Sequence, residues 1–185
     1  MALITAVAPE VLERARKIKL FLMDVDGTLT DGSVNLISLP EGGVAEMKAF
    51  NEQDGMGLKL ANTMGIRTGF ITGRKSPAVS QRAHELNVEF VYLGQATKTA
   101  AFVEILEKAA LQEDEVAYMG DDLPDMPLSK RVGLAVAVAN AAPELKAISH
   151  YTTNQRGGDG SAREVVELIL KAQGRWEEAI PLARA

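Results

Sequence analysis

Short apolar runs alternate with stretches of helical period along most of this chain. Lys19–Val25 (KLFLMDV) is bounded by charge on one side and leads into glycine on the other, and it reads as a buried strand. Arg67–Ile71, Glu89–Leu93, Glu115–Met119 and Gly133–Val138 repeat the pattern, and Tyr151–Thr153 is a shorter candidate. Between them, Gly57–Met64, Pro77–Leu86, Thr97–Ala110, Met126–Arg131, Pro143–Ile148 and Ser161–Gln173 read as helices. The clearest is Thr97–Ala110, with Phe102, Ile105 and Leu106 on one face. The tail to Ala185 carries no clear pattern. Strands separated by helices require right-handed crossovers and a parallel sheet covered on both faces. The expected fold is α/β, a three-layer Rossmann-like parallel sheet of about six strands in a single domain over 1–185.

One region breaks the alternation. SVNLIS (33–38) and VAEMKAF (44–50) flank Leu39-Pro40-Glu41-Gly42-Gly43. Two extended stretches around a Pro/Gly turn predict a β-hairpin, a flap over residues 30–50 inserted just after the first strand. It is expected to cover the site or to form an oligomer contact.

Composition narrows the function. Hydrophobic residues make up 46% of the 185, enough for a core, and charged residues 24%. Net charge is −5 with no Lys/Arg run, which argues against a nucleic-acid partner. No apolar run approaches the roughly 18 residues that cross a membrane. The N-terminal segment lacks the basic start of a signal peptide. With no Cys, disulfides, thiolate zinc sites and Cys nucleophiles drop out together, and a cytoplasmic location is expected. The two histidines, His84 and His150, read as a helix-surface and a loop residue. Met23, Met56, Met64 and Met119 read as packing residues, and Trp176 as packing for the tail helix or an interface. Carboxylate chemistry is the place to look.

In a parallel sheet of this kind, ligands bind beyond the carboxyl ends of the strands. Asp24-Val25-Asp26-Gly27-Thr28 follows the first strand. The strand period of two turns Asp24 and Asp26 the same way, and two close carboxylates need a cation or a proton between them. Gly120-Asp121-Asp122-Leu123-Pro124-Asp125 follows the fourth strand, at the same sheet edge. It suits a hard cation such as Mg²⁺, which takes one or two carboxylates plus water and phosphate oxygens. Thr72-Gly73-Arg74 follows the second strand and offers a hydroxyl and backbone N–H groups to phosphate. Lys98 opens a helix after the third strand and can neutralise a phosphate. Each element alone is also an ordinary turn or strand exit. Their joint order, each after its own predicted strand, is what carries weight.

With these motifs the chain resembles the haloacid dehalogenase-superfamily phosphatases. Its small size, KAFNEQDGMG (48–57), ITGRKS (71–76) and GGDGSAREV (157–165) make it most similar to the capless subfamily of 3-deoxy-D-manno-octulosonate 8-phosphate phosphatases. That resemblance implies no large cap domain, a small phosphorylated sugar-acid substrate on the way to lipopolysaccharide, Mg²⁺, and a homotetramer in which the hairpin takes part. It implies Asp24 as nucleophile and Asp26 as acid/base. The Asp24 carboxylate, the Asp26 carbonyl and the Asp121 carboxylate would hold the metal, with Asp122 and Asp125 orienting its shell. Thr72 and Lys98 would hold the phosphate, together with Asp26. The sugar-acid end would meet Asn51, Asp54, Gly55, Lys59, Gly73, Arg74 and Arg82; an Arg grips a carboxylate with two parallel hydrogen bonds. The Gly-rich segment at 157–160 would reach an active site, that of a neighbouring subunit.

Two departures stand out. The hairpin turn at Leu39–Gly43 is a few residues longer than the family pattern, and Asp159 sits where relatives often carry a basic residue; Arg156 and Arg163 are nearby compensations. Two other readings compete. One is the same chemistry on a nine-carbon keto sugar acid 9-phosphate. The other is a phospho-accepting receiver domain, in which the acidic pair lies on the first strand but the phospho-accepting Asp on a later one.

Overall fold

The computed structural model describes residues 7–183. In chain order the elements are α1 (Pro9–Arg16), β1 (Leu20–Met23), β2 (Asn35–Ser38), β3 (Val44–Met47), α2 (Glu52–Thr63), β4 (Arg67–Ile71), α3 (Pro77–Glu85), β5 (Phe90–Tyr92) and α4 (Lys98–Ala109). They continue with β6 (Val116–Gly120), α5 (Met126–Ser129), β7 (Leu134–Ala137), α6 (Pro143–Ile148), β8 (Tyr151–Thr152), α7 (Ser161–Ala172) and α8 (Trp176–Leu182). Six strands form one parallel sheet in the order β5-β4-β1-β6-β7-β8. The other two, β2 and β3, form a separate antiparallel hairpin, with Asn35 opposite Met47 and Ser38 opposite Val44.

Successive strand side chains point to opposite faces, and β1 shows the result. Phe21 and Met23 enter a core shared with Val79, Ala83, Val165 and Ile169. Leu20 and Leu22 enter a second core with Ala101, Phe102, Ile105 and Leu128. Helices α1, α2, α3 and α7 therefore cover one face and α4 and α5 the other. That is the three-layer α/β architecture expected, with the hairpin inserted after β1. A strand buried on both faces must be apolar throughout, which is why KLFLM reads as a continuous run.

The differences lie in a short helix and in one interrupted by glycines. Helix α1 was not expected, because its eight residues bury only Val11 and Ala15. Its terminal signals are nevertheless present, with Pro9 at the start, Glu10 in the first turn and Arg14 and Arg16 in the last. Helix α2 starts at Glu52 rather than Gly57, capped by Asn51 Oδ1, which accepts from Gln53 N at 2.7 Å. Gly55 and Gly57 hide its period. They are small because a Cβ at Gly55 would lie 2.4 Å from Arg82 Nη2, and one at Gly57 2.8 Å from Arg163 Cα. In the tail, Trp176 opens α8 and packs under Arg163 and Lys171. His150 is more than a loop residue: its Nδ1 accepts from Ala135 N at 2.9 Å, and burial holds its pKa below the ordinary value. No helix among the described residues is long and apolar enough to cross a membrane.

Strand order reverses at β1, and the carboxyl ends of β1 and β6 flank that switch point, where open α/β sheets bind ligands. Asp24 N donates to Met119 O at 3.0 Å, which locks the two strand exits side by side. The chain leaves β1 through Gly27 at φ +96°, a left-handed conformation open to glycine. The Gly-rich segment before α7 packs directly onto this exit. Gly158 N donates to Thr28 O at 3.1 Å, and Ser161 Oγ to the same oxygen at 3.3 Å. A Cβ at Gly157 would fall 1.8 Å from Gly27 O. Gly157→Ala therefore has to push these backbone segments away from each other, and urea unfolding should show a loss of about 1–3 kcal/mol. An unchanged unfolding midpoint would contradict this packing.

Candidate active site

The period that sends Leu20 and Leu22 toward α4 continues past the end of β1, so Asp24 points the same way and meets Lys98 at the first position of α4. Lys98 Nζ donates to Asp24 Oδ1 and to Asp125 Oδ1, both at 2.6 Å, and contacts the Tyr118 hydroxyl at 3.1 Å. All of these groups are buried. Burial pushes the Asp24 carboxyl up to about 7 even though Lys98 pulls it down, and the Asp125 charge adds to the rise. For Lys98 burial works against the charge, but Asp24 and Asp125 outweigh it and its pKa is raised. Tyr118 is pushed well above its ordinary value, chiefly by burial, and stays a neutral donor to Asp125 Oδ1 at 2.6 Å.

Asp125 is saturated. Besides Lys98 and Tyr118 on Oδ1, its Oδ2 accepts from Asp121 N at 2.9 Å and Asp122 N at 3.2 Å. Gly120 allows that closeness, because a Cβ there would lie 2.3 Å from Asp125 Oδ2. Asp121 Oδ1 accepts from Thr28 Oγ1 at 3.0 Å, and burial raises this carboxyl to about 6. A Cβ at Gly27 would meet Asp121 Oδ2 at 2.2 Å, so glycine clears the space this oxygen occupies.

Asp26, half-buried, is pinned from two sides. Thr72 Oγ1 donates to its Oδ2 at 3.3 Å, and Lys48 forms an ion pair with its Oδ1. Thr72 Oγ1 in turn accepts from Arg74 N at 3.2 Å. Arg74 Nη2 reaches Glu46 Oε1 on the hairpin at 3.0 Å. Asp24, Asp26, Thr72, Gly73, Arg74, Lys98, Asp121, Asp122 and Asp125 all line one open cleft of about 510 Å³.

The rest of the expected sugar-acid set lies outside that lining. Asp54 is corrected outright: it is 1% exposed, and its oxygens accept from Gly160 N at 3.2 Å and Arg163 N at 3.0 Å. It caps the N-terminus of α7 and has no free oxygen for a ligand. Burial raises its pKa, opposed by those amides. Asn51 is spent on capping α2, and Gly55 lies against Arg82. Arg82 stacks over Phe50 at 5.9 Å and contacts Glu52 and Glu85 at 3.4 Å, while Lys59 is exposed on α2. Within its own chain the Gly-rich segment underlies the β1 exit, with Asp159 exposed. Sequence reasoning missed Lys48, Glu46, Thr28 and Tyr118. Tyr118 had a legible signal, since a Tyr inside a strand buried on both faces must find a partner for its hydroxyl.

The donor set suits a hard divalent cation. Asp24, Asp121 and Asp125 each offer a carboxylate oxygen within 4.8 Å of the others. Asp125 is saturated, whereas Asp24 Oδ2 and Asp121 Oδ2 accept no hydrogen bond among the described residues. Two free oxygens beside a space with room for water and phosphate match the ligand habits of Mg²⁺. Protons compete for the same oxygens, because these carboxyls sit near 7 and 6 without a metal. Mg²⁺ affinity should therefore weaken as pH falls through 7 and then 6, with proton release on binding. Calorimetry in buffers of different ionisation enthalpy reads both effects, and pH-independent binding would refute the site.

Comparison with known proteins agrees with this geometry. Residues 90–165 match the model of the haloacid dehalogenase-like hydrolases. The 3-deoxy-D-manno-octulosonate 8-phosphate phosphatase of Salmonella typhimurium is 46% identical, over 94% of this chain and 90% of its own. Among solved structures, the same-named phosphatase from Yersinia pestis superposes with a TM-score of 0.87 at 43% identity, covering 92% of this chain and 90% of that one. The enzyme of that name from Moraxella catarrhalis, solved in complex with a magnesium ion, a phosphate ion and a KDO molecule, gives 0.87 at 42% identity over 94% and 97%. With the strand-end acids, the cleft and these likenesses in agreement, the chain belongs to the haloacid dehalogenase-like hydrolases, in the family of the 3-deoxy-D-manno-octulosonate 8-phosphate phosphatases, and is a phosphoric monoester hydrolase.

Proposed function

We propose that this enzyme releases phosphate from 3-deoxy-D-manno-octulosonate 8-phosphate, in the cytoplasmic supply of a lipopolysaccharide precursor, with Mg²⁺ as cofactor and through an aspartyl phosphate on Asp24. The observation that carries the reading is the pairing of Asp24, whose Oδ2 is free, with a pinned Asp26 at one cleft edge. The likeness to enzymes of that name over nearly the whole chain supports the substrate.

Lys98 neutralises the Asp24 carboxylate through Oδ1, and that carboxylate attacks phosphorus in line. The P–O bond to the sugar breaks as the P–O bond to Asp24 forms. The departing C8 oxygen takes the proton from the Asp26 carboxyl. In the second half, Asp26 accepts a proton from the attacking water, phosphate leaves and the Asp24 carboxylate is regenerated. The backbone N–H of Gly73 holds a phosphoryl oxygen, and Thr72, whose hydroxyl proton lies on Asp26, orders the same turn by accepting from Arg74 N. The cation, when bound by the Asp24 and Asp121 carboxylates and the Asp26 carbonyl, offsets the charge on those oxygens. Asp122 and Asp125 orient its shell, Asp125 through the amides it accepts.

Arg74, at the rim, receives the substrate carboxylate. Lys59 and Arg82, outside the lining of their own cleft, serve a substrate when a neighbouring subunit is present. A homotetramer is the assembly we propose. Val34, Leu36, Ile37, Val44 and Met47 stand exposed on and beside the hairpin, an apolar face that one chain leaves uncovered.

Phosphate release over a panel of sugar phosphates tests the reading. The eight-carbon ester should be turned over faster than the nine-carbon 9-phosphate, and the reverse order would replace the substrate. Chelation should stop turnover and added Mg²⁺ restore it. Asp24→Asn should lower kcat by more than about 10⁴-fold with an unchanged circular dichroism spectrum. Measurable turnover by that variant would remove Asp24 from the chemistry.

A further inference from the structure

Lys48 has no role in the chemistry of Asp24 and Asp26 as proposed, yet its side chain is 3% exposed and ends on the Asp26 carboxylate. It comes from the hairpin, one residue beyond β3. Its ammonium also lies 3.4 Å from Glu46 Oε1, and the same oxygen lies 3.0 Å from Arg74 Nη2. Asp26, Lys48, Glu46 and Arg74 thus form a ladder of alternating charge from the floor of the cleft to its rim. Lys48 does not itself line the cleft, so it stands behind Asp26 rather than beside a bound phosphate.

Two features make this more than a staple between hairpin and body. Asp26 is held at both oxygens, at Oδ2 by Thr72 from the β4 exit and at Oδ1 by Lys48 from the hairpin, which leaves its carboxyl one orientation. A group that hands over a proton in the transition state loses about 10²-fold when displaced by an ångström. Without Lys48, moreover, Asp26 and Glu46 would confront each other with no cation between them, and repulsion would drive Asp26 from that orientation.

We propose that Lys48 is a positioning residue for the reaction, one that fixes the Asp26 carboxyl for proton transfer and, through Glu46, ties Arg74 at the rim to the same ladder. The proposal rests on the reading of Asp26 as acid/base.

The test compares two leaving groups in the full-length enzyme with Mg²⁺. The sugar C8 oxygen is a poor leaving group and needs a proton from Asp26, whereas p-nitrophenolate departs without one. Lys48→Met should lower kcat on the eight-carbon ester by about 10–100-fold, with KM within about threefold of the parent. First-turnover release of p-nitrophenol should fall by at least about tenfold less. Lys48→Arg, which restores the cation, should recover most of the kcat. Should Lys48→Met not fold, by circular dichroism and gel filtration, Lys48→Gln takes its place. Equal losses on the two esters, a rise in KM with kcat preserved, or no recovery in Lys48→Arg would overturn the proposal and leave Lys48 a staple. Asp26→Asn is run alongside. Leaving-group selectivity in Asp26→Asn but not in Lys48→Met removes the role of Lys48 alone. Absence of selectivity in both removes the acid/base reading of Asp26, and the role of Lys48 with it.

Discussion

The contact of Lys98 with Asp24 and Asp125 is the interaction on which the rest of the site depends. Three ionisable groups meet out of solvent, where a lone charge is costly and a matched set is tolerated only if its hydrogen bonds are complete. Asp125 meets that condition with four donors, and one of them, the Asp121 amide, belongs to a residue of the same carboxylate cluster as Asp24. Charge neutralisation and metal-site geometry are therefore built by the same few atoms. Lys98 leaves one Asp24 oxygen occupied and the other open, which turns a symmetric carboxylate into a directed one.

Much of this was legible in the chain because parallel sheets bury both faces. Uninterrupted apolar runs mark the strands, and the residue following each run must lie at the ligand-binding edge. Asp24, Thr72 and Asp121 were readable by that rule, and Lys98 by its place at the start of the next helix. The illegible regions have physical reasons. Helix α1 is short and charged, with only Val11 and Ala15 buried. Gly55 and Gly57 interrupt α2 because the Arg82 side chain presses on one and the Arg163 backbone on the other. Asp54 looked like a ligand group because a buried helix cap and a binding residue share the same composition; only the amides of α7 distinguish them. Lys48 and Glu46 escaped because an exposed hairpin gives no sign of which of its side chains turn inward.

The distribution of charge explains how an acidic protein can take an anionic substrate. Net charge is −5, yet Lys98 and Arg74 line one cleft with Lys48 behind its Asp26, and Asp24, Asp26 and Asp125 are each paired with a lysine. Within about 8–10 Å, the screening distance at physiological salt, local arrangement outweighs the net value.

The glycine contact between residues 27 and 157 has a temporal consequence. Ser161 reaches back to Thr28 across 133 positions of sequence, and Asp54 to Arg163 across 109. Loops of that span close late, since their entropy must be met before the contacts reward it. The exit of the first strand is made well before the segment at 157–161, and its backbone acquires its final support only after that segment has emerged. A nascent chain would hold the apolar strand and its acidic pair without the packing that sets their geometry. Competence for catalysis is thus coupled to the emergence of α7, and chains ending before it would lack the support on which the β1 exit is built.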